Sequence, residues 1–332
     1  MESSLRDLLE QLHAIAVRKG LPDFQELAGT IRRAVDCLNR ESPDYRPVDR
    51  RGLPGGLVFL RKVEYYVIVP DLHARMDFFL KVLGHRPRGE TTVIEDMAAG
   101  RAQVICVGDA FHSERRGIGR WQKAFQEFLG GYKQHRNMDA EMRENLGLLE
   151  MISLVKAANP WQFHFLKGNH ENIANERGEG NYPFMKFVRE GDMVKRWMHQ
   201  FAGDDLTRTV YAWEKALPLM AAGADFLVTH AEPGRTLSME DVINAYENPD
   251  VIYLLTWVGN DEAAPGSVRR TISNIIGPGS GRRIFGGHRP VSGYYDLRQD
   301  GAYVQINTPD NHVVAVFSSM GDFDPDSSII EL

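Results

Sequence analysis

The sequence predicts an α/β fold in which helices flank a β-sheet core, with a helical extension at the N-terminus. Five short apolar runs have the length and composition of buried strands. Segments with helical periodicity lie between these runs, and the first 40 residues show helical periodicity as well. Hydrophobic residues make up 43% of the 332 residues and charged residues 25%, so a sizeable core is expected.

The N-terminal extension, residues 1–55, is predicted to contain two helices and a linker. The second helix spans residues 23–39, because a break at residues 20–22 precedes it. Residues 41–56 are rich in Pro, Arg and Gly, which is the composition of a linker. We expect the extension to pack against the domain that follows, residues 56–321. The first helix is indicated by apolar residues at helical spacing: Leu5, Leu8, Leu9, Leu12 and Ala16.

Each apolar run of strand length ends just before polar residues of the kind that bind metal ions. In an open α/β sheet, the carboxyl ends of the strands meet at one crevice, so residues far apart in sequence can surround one ligand there. We therefore expect the five polar segments to lie close together. The five apolar runs are Tyr65–Val69, Val104–Val107, Phe163–Leu166, Phe226–Val228 and Ile284–Phe285.

In order and content, the polar segments resemble the motifs of the calcineurin-like metallophosphoesterases, and most closely those of the phosphoprotein (Ser/Thr) phosphatases. The family pattern runs D-x-H, G-D-x-x-D-R, G-N-H-E, H and G-H. The resemblance covers residues 61–320 and implies a calcineurin-like β-sandwich flanked by helices. An acidic tail, residues 322–332, follows. The corresponding segments are Asp71-Leu72-His73, Gly108-Asp109, Gly168-Asn169-His170-Glu171, Thr229-His230 and Gly286-Gly287-His288.

The resemblance implies two divalent metal ions, with the Asp109 carboxylate bridging them. Asp71 and His73 would complete the first ion's ligands, and the second ion would be bound by Asp109 together with Asn169, His230 and His288. Oxygen and imidazole donors without a thiolate suit manganese, iron or zinc. Two dications against two aspartates and one hydroxide leave about one positive charge to attract phosphate. The implied reaction is direct attack of the bridging hydroxide on a phosphomonoester.

His170 follows a ligand position, and by resemblance it would be the general acid that protonates the leaving oxygen. In the family, a carboxylate of the second segment orients this histidine, but here that segment reads G-D-A-F-H-S-E-R-R. Aligned without a gap, His112 takes the aspartate's place and Ser113 the arginine's. Aligned with a two-residue bulge, Glu114 and Arg115 restore the acid–arginine pair. We favour the second alignment, because it keeps both a partner for His170 and a phosphate ligand.

Arginine binds phosphate through paired hydrogen bonds, so arginines near the ligand positions are candidates for substrate binding. Arg115 is the first candidate. Arg270 precedes a short strand-like run, as does the family's other phosphate-binding arginine. Arg75 and Arg289, each close in sequence to a predicted ligand, are alternatives.

Two segments carry many aromatic residues, and the first of them is expected at the rim of the crevice. Residues 117–138 form an insertion of about one helix relative to the family pattern, and an apolar face that includes Trp121 is expected to join the core. Between Asn172 and Ala224, helices that include Phe184 and Phe187 are expected to cover one side of the sheet.

These features predict a binuclear-metal phosphomonoester hydrolase similar to the protein Ser/Thr phosphatases, with a phosphorylated protein or a small phosphate ester as substrate. The chain departs from the family in its second segment and in Ala74-Arg75, where the family has Gly-Gln. A dinucleoside-polyphosphate or nucleotide hydrolase with the same metal site is therefore an alternative. A non-catalytic metal-binding scaffold is the least favoured hypothesis.

Composition narrows the partners and the location. The net charge of −6 argues against a nucleic-acid partner. No apolar run approaches the ~20 residues that span a bilayer, so we expect no membrane segment. Two cysteines in different structural settings and the lack of a secretory signal favour a reducing, cytoplasmic location. The sequence carries no signal for an oligomeric state.

Overall fold

A computed structural model describes residues 2–332 of the chain. The helices are α1 Glu2–Val17, α2 Phe24–Asn39, α3 Met76–Gly84, α4 Val93–Ala98, α5 Ile118–Leu129, α6 Arg136–Ala158, α7 Glu190–Trp197, α8 Gly203–Ala216, α9 Met239–Ile243, α10 Pro249–Thr256, α11 Ser267–Ile276 and α12 Pro325–Ser328. The strands are β1 Leu57–Phe59, β2 Tyr65–Val69, β3 Ala102–Cys106, β4 Phe163–Phe165, β5 Met220–Ala222, β6 Phe226–Thr229, β7 Arg283–Pro290, β8 Asp296–Arg298, β9 Tyr303–Asn307, β10 Val313–Phe317 and β11 Ile329–Glu331.

Residues 2–332 form two mixed β-sheets. One sheet has the strand order β1-β5-β6-β7-β9-β8, and the other has the order β11-β10-β2-β3-β4. The central strands that lead to the polar segments are parallel: β2 with β3, β3 with β4, and β6 with β7. Parallel strands end at the same edge of a sheet, so the loops that follow them are neighbours.

The two sheets pack face to face, and alternation along each strand decides which side chains lie between them. On β2, Tyr66 and Ile68 point into the space between the sheets, where they meet Val228 and Phe285 from the other sheet. Tyr65 on the same strand points the other way, into a separate helical core. This period of two is what a strand buried on both faces requires. The predicted β-sandwich is confirmed.

Helices cover both outer faces of the sandwich. Apolar residues of α1 to α8 form one core with the five-stranded sheet, and α9 to α11 form another with the six-stranded sheet. The helix α2 begins where the sequence indicates, because the Asp23 side chain accepts hydrogen bonds from the backbone N–H groups of Gln25 and Glu26 at 2.8 and 3.0 Å. Within the described part of the chain, no helix is both long and apolar enough to cross a membrane.

Two segments differ from their sequence-based description. Phe184 and Phe187, expected on helices, lie in the loop that precedes α7, because backbone with positive φ at residues 175 and 178–180 and the proline at 183 interrupt helical structure. The strand β7 extends well past Phe285, so His288 lies within it rather than after it. The register of β7 against β9 shifts between Gly286 and Pro290, and this irregularity turns the backbone at His288.

Candidate metal centre

The predicted ligands come from both sheets and meet at one edge of the sandwich. Asp71 and His73 follow β2, Asp109 follows β3, and Asn169 follows β4 in the five-stranded sheet. From the six-stranded sheet come His230, at the end of β6, and His288 on β7. All six are buried except His288, which is half-buried. Two overlapping groups have ligand atoms within 4.8 Å of one another: His73, Asp109 and His170, and Asp71, Asp109 and His230.

One oxygen of Asp109 lies at the centre of the cluster. Its Oδ2 atom is 3.5 Å from Nε2 of His230, 3.8 Å from Nε2 of His73 and 3.8 Å from Nε2 of His170. The other oxygen, Oδ1, accepts a hydrogen bond of 3.0 Å from the backbone N–H of His170. The carboxylate is thus fixed through one oxygen, and the other is directed at three imidazoles.

The second half of the cluster is organised around the amide oxygen of Asn169. Its Oδ1 atom is 2.9 Å from Nε2 of His230 and 3.0 Å from Nδ1 of His288. The Asp71 carboxylate accepts from the backbone N–H of His288 at 3.1 Å, which ties the two sheets together at the site. These contacts bring an amide oxygen, a carboxylate and two imidazoles to one point.

Backbone carbonyls determine which imidazole nitrogens face the centre. Nδ1 of His230 lies 3.1 Å from the carbonyl oxygen of Val107, and Nδ1 of His73 lies 3.4 Å from that of Phe111. A carbonyl can only accept, so each Nδ1 carries the proton and each Nε2 presents a lone pair. This is the arrangement in which a histidine binds a metal ion and donates its other N–H to an outer acceptor.

Two motif glycines are required because carboxylates approach their Cα atoms closely. A Cβ atom on Gly168 would lie 2.1 Å from Oδ1 of Asp109, and a Cβ atom on Gly287 would lie 1.9 Å from Oδ2 of Asp71. Either contact would displace a predicted ligand. The ligand loops also contain non-glycine residues with positive φ, at His73, Asp109 and His288, and such backbone strain concentrates at functional sites.

The electrostatics of the cluster favour a bound cation. Burial raises the pKa of Asp71 to about 7 and raises the pKa of Asp109 well above its usual value. Among residues 2–332, no lysine or arginine forms an ion pair with either carboxylate. Burial likewise lowers the pKa of His73 and His230, so their rings are neutral. Buried carboxylates that form no ion pair with lysine or arginine suit divalent metal ions, as do neutral imidazoles, and the donor set therefore fits the predicted cofactors.

The chain resembles a protein serine/threonine phosphatase from Saccharomyces cerevisiae that has similarity to human phosphatase PP5. The TM-score is 0.57 at 15% sequence identity, covering 94% of this chain and 89% of that chain. The chain has the calcineurin-like metallophosphoesterase fold. No protein-family model matches it, and no curated protein matches it in sequence.

Weaker structural similarities involve two other hydrolases. A putative diadenosine tetraphosphatase has a TM-score of 0.41 at 14% identity, covering 84% of this chain and 97% of that chain. A cold-active protein tyrosine phosphatase has a TM-score of 0.45 at 12% identity, covering 78% of this chain and 75% of that chain. These scores are too low to bear on the substrate of this chain.

In this metallophosphoesterase fold, a cavity of about 210 Å3 opens beside the cluster. His73, Asn169, His170 and His288 form part of its lining, so predicted ligands and the predicted general acid are reachable from solvent. Pro183, Phe184 and Met185 of the loop before α7 form another part.

His112 and Glu114 both contact His170, but on opposite nitrogens. Nδ1 of His112 lies 2.8 Å from Nδ1 of His170, and the His112 ring stacks on Phe184 at 4.8 Å. Glu114 instead has Oε1 3.9 Å from Nε2 of His170 and accepts a hydrogen bond from Lys186. The residue at the family's aspartate position in the ungapped alignment, His112, is thus the hydrogen-bonding partner of His170. Glu114, which the favoured alignment assigned to that place, lines the cavity.

The two arginines named first as phosphate-binding candidates, Arg115 and Arg270, do not line this cavity. Arg115 is exposed and interacts with Asp310 at 3.4 Å, and Arg270 is exposed on α11, where it donates to Thr236 at 2.8 Å. Arg75 is buried, and its guanidinium donates to backbone carbonyls, among them those of residues 71, 72, 308 and 311. Of the four arginines considered from sequence, only Arg289 lies in the cavity lining.

Three residues at the site were not identified from sequence. Glu171 accepts hydrogen bonds from the backbone N–H groups of Gly168, Asp109 and Ala110 at 2.7, 2.9 and 2.8 Å, and so supports two ligand loops at once. Its place in the G-N-H-E motif was the available signal. Phe184 packs on His170 with ring centroids 4.0 Å apart, and Lys186 pairs with Glu114. For Phe184 and Lys186, the only available signal was that they follow the G-N-H-E motif in the sequence.

Proposed function

We propose that this chain is a metal-dependent phosphomonoester hydrolase that acts on phosphorylated serine and threonine side chains of proteins. The observation that carries the proposal is the buried cluster at the edge of the sandwich. There, carboxylates, an amide oxygen and neutral imidazoles face one another beside an open cavity. Such a donor set attracts divalent cations, and cations beside a cavity attract a phosphate dianion.

The ligand roles follow from the donor atoms that face the centre. When bound, two divalent ions polarise the phosphoryl oxygens and lower the pKa of water enough to supply a nucleophile at neutral pH. The Asp109 carboxylate, which has one oxygen fixed by a backbone N–H and the other directed at three imidazoles, would be a ligand at the centre of the site. We infer that the ions are held by Asp71, His73, Asp109, Asn169, His230 and His288.

We infer that His170 delivers a proton to the leaving oxygen from Nε2. Its Nδ1 atom is hydrogen-bonded to Nδ1 of His112, so one of the two must carry the shared proton. Nε2 of His112 is buried and has no hydrogen-bond partner among residues 2–332. A buried N–H without an acceptor is rare in proteins, so the His112 proton belongs on Nδ1, where it is donated to His170. The proton of His170 then lies on Nε2, close to Asp109 and Glu114 at the cavity.

The size of the cavity favours a monoester over a dinucleoside polyphosphate. Pockets that enclose drug-sized ligands have volumes of roughly 300–1,000 Å3. The cavity here measures about 210 Å3, which leaves room for a phosphoryl group and a short side chain. The rest of a protein substrate would stay outside, at the rim.

A phosphatase panel with metal removal and restoration tests this function. We expect hydrolysis of nitrophenyl phosphate and of phosphoserine and phosphothreonine peptides in the presence of manganese, and loss of activity with a chelator. Diadenosine tetraphosphate should be turned over far more slowly than the peptides, because each of its phosphorus atoms carries two large substituents, whereas a phosphomonoester has one that can stay outside the cavity.

Three outcomes would contradict parts of this proposal. Fast cleavage of diadenosine tetraphosphate with no action on phosphopeptides would favour the nucleotide hydrolase. Activity confined to nitrophenyl phosphate would reject the phosphoprotein substrate but retain the chemistry. Metal binding without hydrolysis of any ester would indicate a scaffold.

A further inference from the structure

We propose that Arg289, rather than Arg115 or Arg270, binds the phosphoryl oxygens of the substrate. The inference rests on the proposed function, because it assumes that a phosphate enters the cavity beside the metal centre. Its starting point is the charge of the cavity lining, which contains two basic side chains, Lys186 and Arg289.

The other arginines near the ligand loops have their donors committed elsewhere. Arg116 donates to the backbone carbonyls of residues 73 and 74 and to Glu144. Arg120 donates to Glu141 and Glu144 at 2.8 to 2.9 Å and also to Ser113. Because these guanidinium groups hold backbone and helices in place, moving one to a substrate would break several existing hydrogen bonds.

The family's arginine position is also lost in the structure. In the ungapped alignment that position is Ser113, whose side chain is buried and donates to the Glu141 carboxylate. The backbone N–H of Ser113 donates to the same carboxylate at 2.8 Å. Ser113 is therefore held in a network with Glu141 and Arg120 and is not part of the cavity lining.

Unlike Arg116 and Arg120, Arg289 has a guanidinium group that is not bonded to other protein groups of the described chain. It follows His288 on β7, and its backbone is held by Gln305, which donates from Nε2 to the Arg289 carbonyl at 2.6 Å. Its side chain is exposed in the cavity lining, and among residues 2–332 its guanidinium forms no hydrogen bond and no ion pair. A Cβ atom on Gly259 would lie 3.1 Å from Nη2 of Arg289 and 3.2 Å from Oε2 of Glu262, so this carboxylate is near the guanidinium but forms no ion pair with it. The backbone of Arg289 is thus fixed, and its guanidinium N–H groups remain free to donate to a ligand in the cavity.

Unpaired polar atoms lie on the same side of the cavity. Nε1 of Trp257 and Oδ1 of Asn307 are buried, have no hydrogen-bond partner within residues 2–332, and belong to residues that line the cavity. Asn307 is held in place by its other amide atom, Nδ2, which donates to the carbonyl of His288 at 3.2 Å. Unpaired buried polar atoms are uncommon in folded proteins, and a bound ligand or ordered water accounts for them.

The chemistry of these groups matches a phosphate monoester. The Arg289 guanidinium offers paired N–H donors to two phosphoryl oxygens, and the Trp257 indole N–H can donate to an oxygen as well. Lys186, the other basic residue of the lining, already pairs with Glu114, so its charge is largely compensated. Among the described residues, Arg289 is therefore the basic side chain of the lining that forms no ion pair, and it supplies positive charge for a phosphate dianion.

Binding of inorganic phosphate to the manganese-loaded protein, measured by titration calorimetry, tests this assignment without requiring turnover. We expect Arg289→Ala to weaken phosphate binding roughly 10- to 100-fold, since hydrogen bonds to charged groups are the stronger ones. Arg289→Lys should recover part of the loss, because it keeps the charge but not the paired geometry. Metal content and thermal stability should stay at the wild-type level in both variants.

The comparison variants are Arg208→Ala, Arg115→Ala and Arg270→Ala. Arg208 is an exposed arginine on α8 and serves as the matched control, for which we expect wild-type phosphate binding. Unchanged phosphate binding in Arg289→Ala would overturn the inference, and so would a loss confined to Arg115→Ala or Arg270→Ala. A wild-type protein that does not bind phosphate would overturn it as well. Phosphate binding that depends on Arg289 in a protein that hydrolyses no ester would instead reject the proposed function alone.

Discussion

Backbone N–H groups of the loops that carry the metal ligands are paired within the protein, whereas side-chain groups of the outer wall of the cavity are left unpaired in the described chain. In the ligand loops, one carboxylate, Glu171, accepts three backbone N–H groups and joins the loops after β3 and β4. In the outer wall, which we define as Lys186, Trp257, Arg289 and Asn307, several polar atoms lack protein partners.

This difference separates two tasks. A metal centre needs ligand atoms held within a fraction of an ångström, so its supporting hydrogen bonds are already made before any ligand arrives. A substrate-binding wall must leave donors and acceptors free for the substrate, since groups paired within the protein contribute nothing to binding. Substitutions in the loops should therefore change metal binding and stability, and substitutions in the wall should change substrate binding alone.

The largest effect is expected for Asp109→Asn. The substitution keeps the side-chain volume and the oxygen that accepts from His170, but it removes the negative charge that faces three imidazoles. Replacing an outer partner of a metal ligand typically costs 10–100-fold in affinity or activity, so removing a ligand charge should cost more than about 100-fold. Metal analysis and phosphatase assays measure this loss.

Without metal, the same substitution should not destabilise the protein. Asp71 and Asp109 are buried close together, and replacing one of them with a neutral amide relieves their repulsion. Without metal, Asp109→Asn should melt at the wild-type temperature or above it. Two bound ions per chain and wild-type rates in this variant would refute the ligand assignment.

A smaller effect is expected for Glu171→Gln. An amide has one acceptor oxygen in place of two, so at least one of the three backbone N–H groups would face the amide nitrogen and remain unpaired. A buried unpaired donor costs about 1–3 kcal/mol. We expect urea denaturation to show a loss of that size, and metal titration to show about 10- to 100-fold weaker binding.

Glu127→Gln is the matched control for this substitution. Glu127 accepts from the backbone N–H groups of Asn137 and Met138, each at 2.9 Å, at the start of α6 and outside the cavity lining. It should lower stability too, by less because Glu127 is only half-buried, and leave metal affinity unchanged. Equal losses of metal affinity in both variants would show that Glu171 acts only through global stability.

The ligand positions could be predicted because the backbone geometry of the site requires particular residue types. Gly168 and Gly287 must be glycine, since a Cβ atom would displace Asp109 or Asp71, and this requirement appears as the G-N-H-E and G-G-H motifs. The strands that lead to them are short apolar runs, and the predicted run Tyr65–Val69 agrees with β2 at both ends. The apolar runs and the glycine motifs were therefore sufficient to predict the ligand positions.

The surroundings of the ligands could not be predicted, because they depend on contacts between distant segments. Ser113 is held by Glu141, which lies 28 residues away, and no local signal shows that this pair places the family's arginine position outside the cavity lining. The predicted linker also contains a buried ion pair, in which Arg46 donates to Glu41 at 2.7 Å, and Lys156 of α6 donates to the same carboxylate. A Pro- and Arg-rich composition gave no indication of that burial.

The smallest effect is expected at the rim of the wall, for Lys186→Ala. The substitution leaves the Glu114 carboxylate without its partner in the cavity lining, and an unpaired negative charge there repels an incoming phosphate. Because the Lys186 side chain is 42% exposed, solvent screens the pair, and an exposed pair contributes about 0.2–1 kcal/mol. We expect KM for nitrophenyl phosphate to rise up to about five-fold, with kcat, metal content and melting temperature unchanged. Adding Glu114→Gln to Lys186→Ala should restore KM, since the repelling charge is gone. A KM that stays high in the double variant would mean that Lys186 contacts the phosphate itself, and the outer wall would then contain two substrate-binding cations.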